Sequence, residues 1–275
     1  MNKQKLKYKI IQFLFPKYAG FVTKLVKNRI HNLTNKRKDH KFLFILCANY
    51  CGSTLLNQII CTSKSVAVNN SMITREGQRI PDLEEIMFTD KRWDETNTYD
   101  WHFIKKIFMR YWDLRFPILL EKSPPNLLRA NEIKKVFKPS FFVIQYRNPY
   151  AHCESLMRRD EEYDAETAAI FTLKCLRFQK KNIETLESSI AISYEELASY
   201  PSRFVDKIST ILPELNDINT SKEFSAHNFL NEDKMKITDL NAKKIKLISK
   251  EDLKIMSEIF SKEKELLEYF NYQII

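Results

Sequence analysis

KFLFILCANYCGSTLLNQII, the stretch from Lys41 to Ile60, sets the reading of the whole chain. Phe42 to Leu46 is a short unbroken apolar run, the pattern of a strand covered on both faces. Asn49, Tyr50, Cys51, Gly52, Ser53 and Thr54 form a small polar turn, and Leu55, Leu56, Ile59 and Ile60 then recur at helical spacing. A strand handing over to a helix N-terminus presents unpaired backbone N–H groups at the positive end of the helix dipole. Gly52 permits close approach of an anion there, and Ser53 and Thr54 add hydroxyl donors, so the turn has the makings of a phosphate cradle. The full Gly-x-x-x-x-Gly-Lys-[Ser/Thr] loop is missing, and no lysine precedes the serine. Taken alone, the turn fits an anion cradle and a serine-capped tight turn equally well.

Working outward, 275 residues suffice for one large α/β domain, and the 44% hydrophobic share is ordinary for a globular chain. Only three glycines occur, which makes the one at position 52 more telling. No apolar run reaches the 18 or so residues of a membrane span. The five cysteines lack zinc-type spacing and read as reduced thiols, mostly buried, with Cys51 in the turn the candidate for exposure. That usage fits a cytoplasmic protein.

The formal charge of +10 is concentrated at one end. Residues 1–41 hold twelve Lys or Arg and one acid, Asp39, whereas the remainder holds 33 basic and 34 acidic residues. The first forty residues form a basic amphipathic region interrupted at Pro16, with Phe21, Val22, Leu25, Val26, Ile30 and Leu33 toward one side. Two uses are open: a helix packed on the body with its charges in water, or attachment to an anionic membrane surface, such as the inner face, or to an acidic polymer. Nucleic-acid binding is not expected, because the aromatic residues there follow helix periodicity instead of forming a stacking surface.

Further strands are predicted at Val66–Val68, Phe116–Leu120, Phe141–Gln145 and Ile190–Ser193. Helices are predicted from about Pro81, over Asp100–Trp112, from Pro125 or Asn126 to Phe137, after Pro149, over Ala165–Glu187, over Pro201–Leu212 and from Lys250 to Phe270, with a polar loop or flap at 216–246. Alternating strands and helices favour a three-layer α/β/α domain with a central parallel sheet. Two of these strands run into a basic residue just before proline, at Lys122-Ser123-Pro124 and Arg147-Asn148-Pro149. Ligands of open parallel sheets bind beyond the strands' carboxyl ends, so Lys122 and Arg147 are expected on the same rim as the Gly52 turn.

Together these motifs resemble the sulfotransferases that use 3'-phosphoadenosine 5'-phosphosulfate (PAPS), with their P-loop nucleoside triphosphate hydrolase-like fold. The turn Tyr50-Cys51-Gly52-Ser53-Thr54-Leu55 resembles the family's Arg-Ser-Gly-Thr-Thr-Leu cradle for the 5'-phosphosulfate. Lys122-Ser123-Pro124 is similar to a Lys-Thr-Pro element common in bacterial and tyrosyl-protein members. Arg147, Pro149 and Ser155, eight residues after the arginine, match the 3'-phosphate signature in register. Tyr194-Glu195-Glu196-Leu197 and the C-terminal helix also resemble family elements, and the likeness spans about residues 41–275 as one sulfotransferase domain.

The resemblance implies PAPS as donor, 3'-phosphoadenosine 5'-phosphate (PAP) as product, no metal requirement, and sulfuryl transfer to a hydroxyl or amine of a glycan or lipid-linked acceptor. It implies that Cys51, Gly52, Ser53, Thr54, Arg147, Ser155 and Tyr194 bind the nucleotide. Lys122 would be the cation at the leaving oxygen, with a surface lysine after a strand as the plain alternative. Glu76, in Arg75-Glu76-Gly77-Gln78, would be the general base, with a loop ion pair to Arg75 or Arg79 as its alternative. His102 is the runner-up base, and His152 and His227 are weaker candidates. Tyr50 stands where the family carries Arg or Lys, so either another cation compensates or transfer is impaired. A catalytically impaired PAP-binding protein and a phosphate-loop kinase are the alternative functions.

Overall fold

The computed structural model of the protein describes residues 16–34, 39–72, 74–225, 234–235 and 237–275. Its centre is a five-stranded, all-parallel sheet in the order β2-β3-β1-β4-β5: β1 Lys41–Cys47, β2 Val66–Val68, β3 Ile118–Lys122, β4 Ser140–Tyr146 and β5 Ser189–Ser193. Every strand read from the sequence is present. Alternation along β1 divides the core. Phe42, Phe44 and Leu46 face one layer with Trp112 and Phe137, while Leu43, Ile45 and Cys47 face the other with Ile59, Phe204 and Ile208.

The helices are α1 Pro16–Thr34, α2 Ser53–Ile60, α3 Trp101–Tyr111, α4 Ala130–Val136, α5 Pro149–Met157, α6 Ala165–Thr185, α7 Tyr194–Ser199, α8 Pro201–Ile211, α9 Asn241–Ile245, α10 Lys250–Ser261 and α11 Lys264–Tyr269. Short helical turns cover Gly77–Arg79, Glu84–Met87, Asp90–Trp93, Pro124–Arg129 and Pro213–Leu215. Three layers result, with α2 and α8 on one face of the sheet and α3, α4 and α6 on the other.

Several expectations shift. The helix expected from Pro81 is a single turn at Glu84–Met87, and the one expected from Pro125 or Asn126 begins as a 3-10 turn over Pro124–Arg129 before α4. The polar stretch 216–246 contains the β6–β7 pair, Phe224–Ser225 with Lys234–Met235, and α9. The C-terminal helix breaks at Lys262–Glu263 into α10 and α11. His227 lies outside the described residues.

The strand order fixes where a ligand can sit. From β1 the chain runs through α2 toward the β2 edge, whereas β4 lies on the other side of β1 and leads to β5. The turns after β1 and β4 therefore diverge and leave a crevice at their carboxyl ends, the usual ligand position in open parallel sheets. One turn carries Gly52 and the other Arg147.

Candidate nucleotide and transfer site

Gly52 precedes α2 with φ 86°, in the left-handed region that glycine enters without penalty. A Cβ at this position would stand 2.7 Å from the Tyr194 ring, so the aromatic side chain closes directly over the turn. Tyr50 also has positive φ, 59°. A buried histidine braces the preceding residue: His152 Nε2 lies 2.9 Å from Asn49 O, and its Nδ1 lies 2.9 Å from Thr172 Oγ1. Burial pushes His152 down to about 3, so the ring is neutral, Nε2–H donates to the carbonyl and the threonine hydroxyl donates to Nδ1. His152 is thus a brace for the turn, not a base. Cys51, expected to be exposed, is 2% exposed because the left-handed residues on either side turn its side chain into the core, where desolvation raises its thiol pKa.

Two cations grip this turn from opposite ends. Lys122 is the last residue of β3, aligned with Ile45 instead of projecting beyond the sheet, and is 1% exposed. Its Nζ donates to Thr74 O at 2.6 Å, to Glu76 Oε1 at 3.1 Å and to Thr54 Oγ1 at 3.4 Å. The surface-lysine alternative is therefore excluded. The ion pair of Glu76 is thus with Lys122 and not with the expected loop arginines: Arg79 binds Glu84 at 2.7 Å, and Arg75 Nη1 donates to Asn57 Oδ1 at 3.4 Å. Glu76 receives a second donor, Gln78 Nε2, at 2.6 Å.

A carboxylate that the sequence analysis passed over holds this loop in place. Glu121 is fully buried and accepts from Gly77 N–H at 3.1 Å, Ser123 Oγ at 2.6 Å and Asn126 Nδ2 at 2.5 Å. Any side chain at 77 would collide with it, because a Cβ there would lie 2.5 Å from Glu121 Oε1. Desolvation raises the Glu121 carboxyl to about 7, and the Ser123 hydroxyl limits the rise.

At the other end, Arg147 Nη1 donates to Tyr50 O at 3.0 Å and Nε to Asn241 Oδ1 at 2.8 Å, with the guanidinium 4.0 Å from the Tyr194 ring centroid. The Tyr194 hydroxyl donates to Thr238 O at 2.9 Å. Among the described residues, Arg147 Nη2 is buried without a hydrogen-bond partner, as are both polar atoms of the Gln145 amide beside Gly52. Unpaired buried donors are costly and call for an acceptor. An anion in the crevice fits that requirement.

Ser155, one turn into α5, donates to Ala151 O at 2.8 Å and accepts from Lys244 Nζ. Lys244 also stands 3.4 Å from Glu154, and Arg158 Nε binds Glu154 at 2.5 Å. Burial, then the neighbouring Arg147 charge, push Lys244 down to about 8. Lys244 and Asn241 come from α9, in a stretch read as a polar loop, and no spacing signal links them to Arg147. Glu195 completes the frame: it accepts from Asn148 N–H at 2.8 Å, from Asn241 Nδ2 and from the Tyr272 hydroxyl at 2.9 Å. This gives the Tyr-Glu-Glu-Leu element a physical role in joining the β4–α5 turn, α9 and the C-terminus.

Direct contacts join Thr54, Lys122 and Glu76 on one side of the crevice and Gly52, Tyr194 and Arg147 on the other. Ser155 contacts Lys244, which comes from the same helix as the Arg147 partner Asn241. His102 is not among them, being exposed on α3, whose apolar face packs into the core. Three solved structures share this arrangement of elements. A sulfotransferase domain from the curacin biosynthetic pathway superposes with a TM-score of 0.56 at 18% identity, covering 87% of this chain and 100% of that one. The chain has the sulfotransferase fold. A second sulfotransferase domain, from the Synechococcus PCC 7002 olefin synthase, covers 88% of this chain and 98% of its own at TM-score 0.54 and 18% identity. A Mycobacterium avium sulfotransferase covers 92% and 82% at TM-score 0.54 and 12% identity. No family model matches the chain, and no curated protein sequence matches it. The Arg159 guanidinium lies 5.3 Å from the Tyr50 ring centroid, beside the turn.

Proposed function

We propose that the chain is a PAPS-dependent sulfotransferase acting on a hydroxyl or amine of a glycan or lipid-linked acceptor. The observation that carries this reading is the turn gripped from both ends, by Lys122 at Thr54 and by Arg147 at Tyr50 O, with Arg147 Nη2 buried and unpaired beside it. Bound PAPS supplies a sulfuryl group on a phosphate leaving group. The Cys51–Thr54 turn offers backbone N–H groups and the Ser53 and Thr54 hydroxyls to the 5'-phosphosulfate. Arg147, Ser155 and Lys244 hold the 3'-phosphate, the guanidinium through its fork and the lysine as a point charge. Tyr194 lies over both the turn and Arg147 and keeps them in register.

Transfer exchanges one S–O bond for another. As the bond to the leaving phosphate breaks, Lys122 donates to the oxygen that gains charge. The bond from the acceptor oxygen forms on the opposite side, and the acceptor's proton passes to Glu76. The contact between Lys122 and Glu76 supports this division, because one cation then borders both the cradle and the base. Arg159 supplies the positive charge that Tyr50 cannot.

The test is a calorimetric titration with PAP beside ATP, for the natural protein and Arg147→Ala. PAP binding that is lost in the variant, with no ATP binding, supports the reading. No PAP binding refutes the donor assignment, ATP binding that requires magnesium points to a kinase, and PAP binding without sulfuryl turnover on any acceptor points to an impaired relative.

A further inference from the structure

α1 uses two faces. Its inner face is fixed to the body: Phe21 meets Tyr111 edge-on at 5.9 Å, Asn28 Nδ2 donates to Tyr111 O at 2.7 Å, and Asn32 Oδ1 accepts from Leu114 N–H at 3.0 Å. These bonds set the helix's rotation and leave a second apolar stripe outward. Val22, Val26, Ile30 and Leu33 are 41%, 54%, 59% and 81% exposed, and their spacing of four, four and three residues keeps them in one row. Exposed Lys27 and Arg29 flank the row on either side. The packed-helix and surface-attachment readings of this region are therefore compatible, since packing against the described body uses the Phe21, Asn28 and Asn32 face.

We propose that this outer stripe of α1 lies on an anionic lipid bilayer. Charge complementarity identifies the occupant. Residues 1–41 carry twelve basic residues against one acid, while the body beyond is close to neutral, so attraction to an anionic surface acts on the helix end of the molecule. A row of aliphatic side chains between basic residues is the pattern of a helix lying in the interface plane, with the apolar row entering the acyl boundary and the cations at the headgroups. An acidic polymer would use the cations and leave the row in water, which makes the bilayer the better match.

The stripe also has a fixed relation to the crevice. Gly20 approaches the Met72 side chain, where a Cβ would stand 2.5 Å from Sδ, and Lys24 Nζ donates to Val68 O at 2.5 Å. Val68 ends β2, and Met72 belongs to the segment leading to Thr74 and Glu76. Docking through α1 would therefore place the Glu76 side of the crevice next to the surface. The lipid contact itself does not depend on the sulfuryl-transfer reading.

The experiment is vesicle co-flotation of the full chain. Vesicles of phosphatidylcholine alone are compared with equal parts phosphatidylcholine and phosphatidylglycerol, at low and high salt. The full chain is expected to float with the anionic vesicles, to remain behind with the neutral ones, and to be released by salt. Val26→Asp combined with Ile30→Asp, both at exposed positions, is expected to lower partitioning at least tenfold, and Lys27→Ala or Arg29→Ala by about fivefold each. Unchanged melting temperatures and circular-dichroism spectra verify that the variants are folded. Undiminished flotation of the Val26→Asp, Ile30→Asp variant overturns the proposal by showing that the basic residues act alone. A natural protein that is dimeric in light scattering and becomes monomeric on the same substitutions overturns it in favour of a second copy on the stripe. Absence of flotation with anionic vesicles overturns it outright.

Discussion

Replacing Lys244 by methionine tests the 3'-phosphate assignment most sharply, because the consequence is a pH dependence and not merely a loss. In the free protein Lys244 is depressed to about 8 by burial and by Arg147, with Glu154 only partly compensating. A phosphate dianion against Lys244 and Ser155 favours the charged form, so the lysine returns toward its ordinary 10.5 in the complex. Binding then takes up a proton wherever the free lysine is neutral and the bound one charged, between about pH 8 and 10.5. With a free-state value of 8, the factor (1 + 10^(pH−8)) rises about tenfold between pH 7 and pH 9, so PAP affinity should fall about tenfold, or roughly 1.4 kcal/mol. Calorimetry in two buffers of different ionisation enthalpy measures the proton uptake directly, which should approach one proton at pH 9. Lys244→Met should bind more weakly at pH 7 and lose the slope. A natural protein whose affinity is flat from pH 7 to 9, or a variant that keeps the slope, would refute the placement of the phosphate beside Lys244.

Other consequences follow from the same geometry. Gly52→Ala combines a left-handed alanine with a Cβ 2.7 Å from Tyr194, which together should cost about 2–4 kcal/mol in chemical denaturation, and adding Tyr194→Ala should recover only the steric share. Glu121 has a folded-state value raised to about 7 from 4.5, so its contribution is fully present below pH 4.5 and is lost as the pH rises through 7. That loss amounts to about 3 kcal/mol, and the stability difference between the natural protein and Glu121→Gln should change by this amount between pH 5 and 8. His152 behaves in the opposite direction: its value falls from 6.5 to about 3, so its contribution is present above pH 6.5 and lost as the pH falls toward 3, a decline that His152→Gln should flatten in acid denaturation. If Arg159 replaces the charge absent at position 50, Arg159→Ala should weaken PAPS more than PAP, and Tyr50→Arg in that background should restore the difference. Equal weakening of both nucleotides would remove Arg159 from the sulfate.

The strands, their alternation with helices and the rim that carries the Gly52 turn and Arg147 were legible in the sequence, whereas Lys122, expected on that rim, lies within β3. These features are local: an apolar run of three to five residues makes a buried strand, and the turn that follows it lies beyond the strand's carboxyl end. The resemblance named Glu76 as a candidate, although not the Lys122 contact that holds it. The tertiary structure alone decided that Lys122 sits within β3 and bridges Thr54 to Glu76, that Glu121 anchors Gly77, that His152 supports Asn49, and that Lys244 and Asn241 come from α9 to join Arg147 and Ser155. Asn241 and Lys244 lie 94 and 89 residues from their partners in the chain, a separation that leaves no periodicity or spacing to read. Likewise, the sequence drew a single amphipathic row along α1, because apolar residues of both faces count alike in a periodic pattern. Only the contacts of Phe21, Asn28 and Asn32 at and just beyond the α3 end divide it into a face packed on the body and an exposed row of Val22, Val26, Ile30 and Leu33.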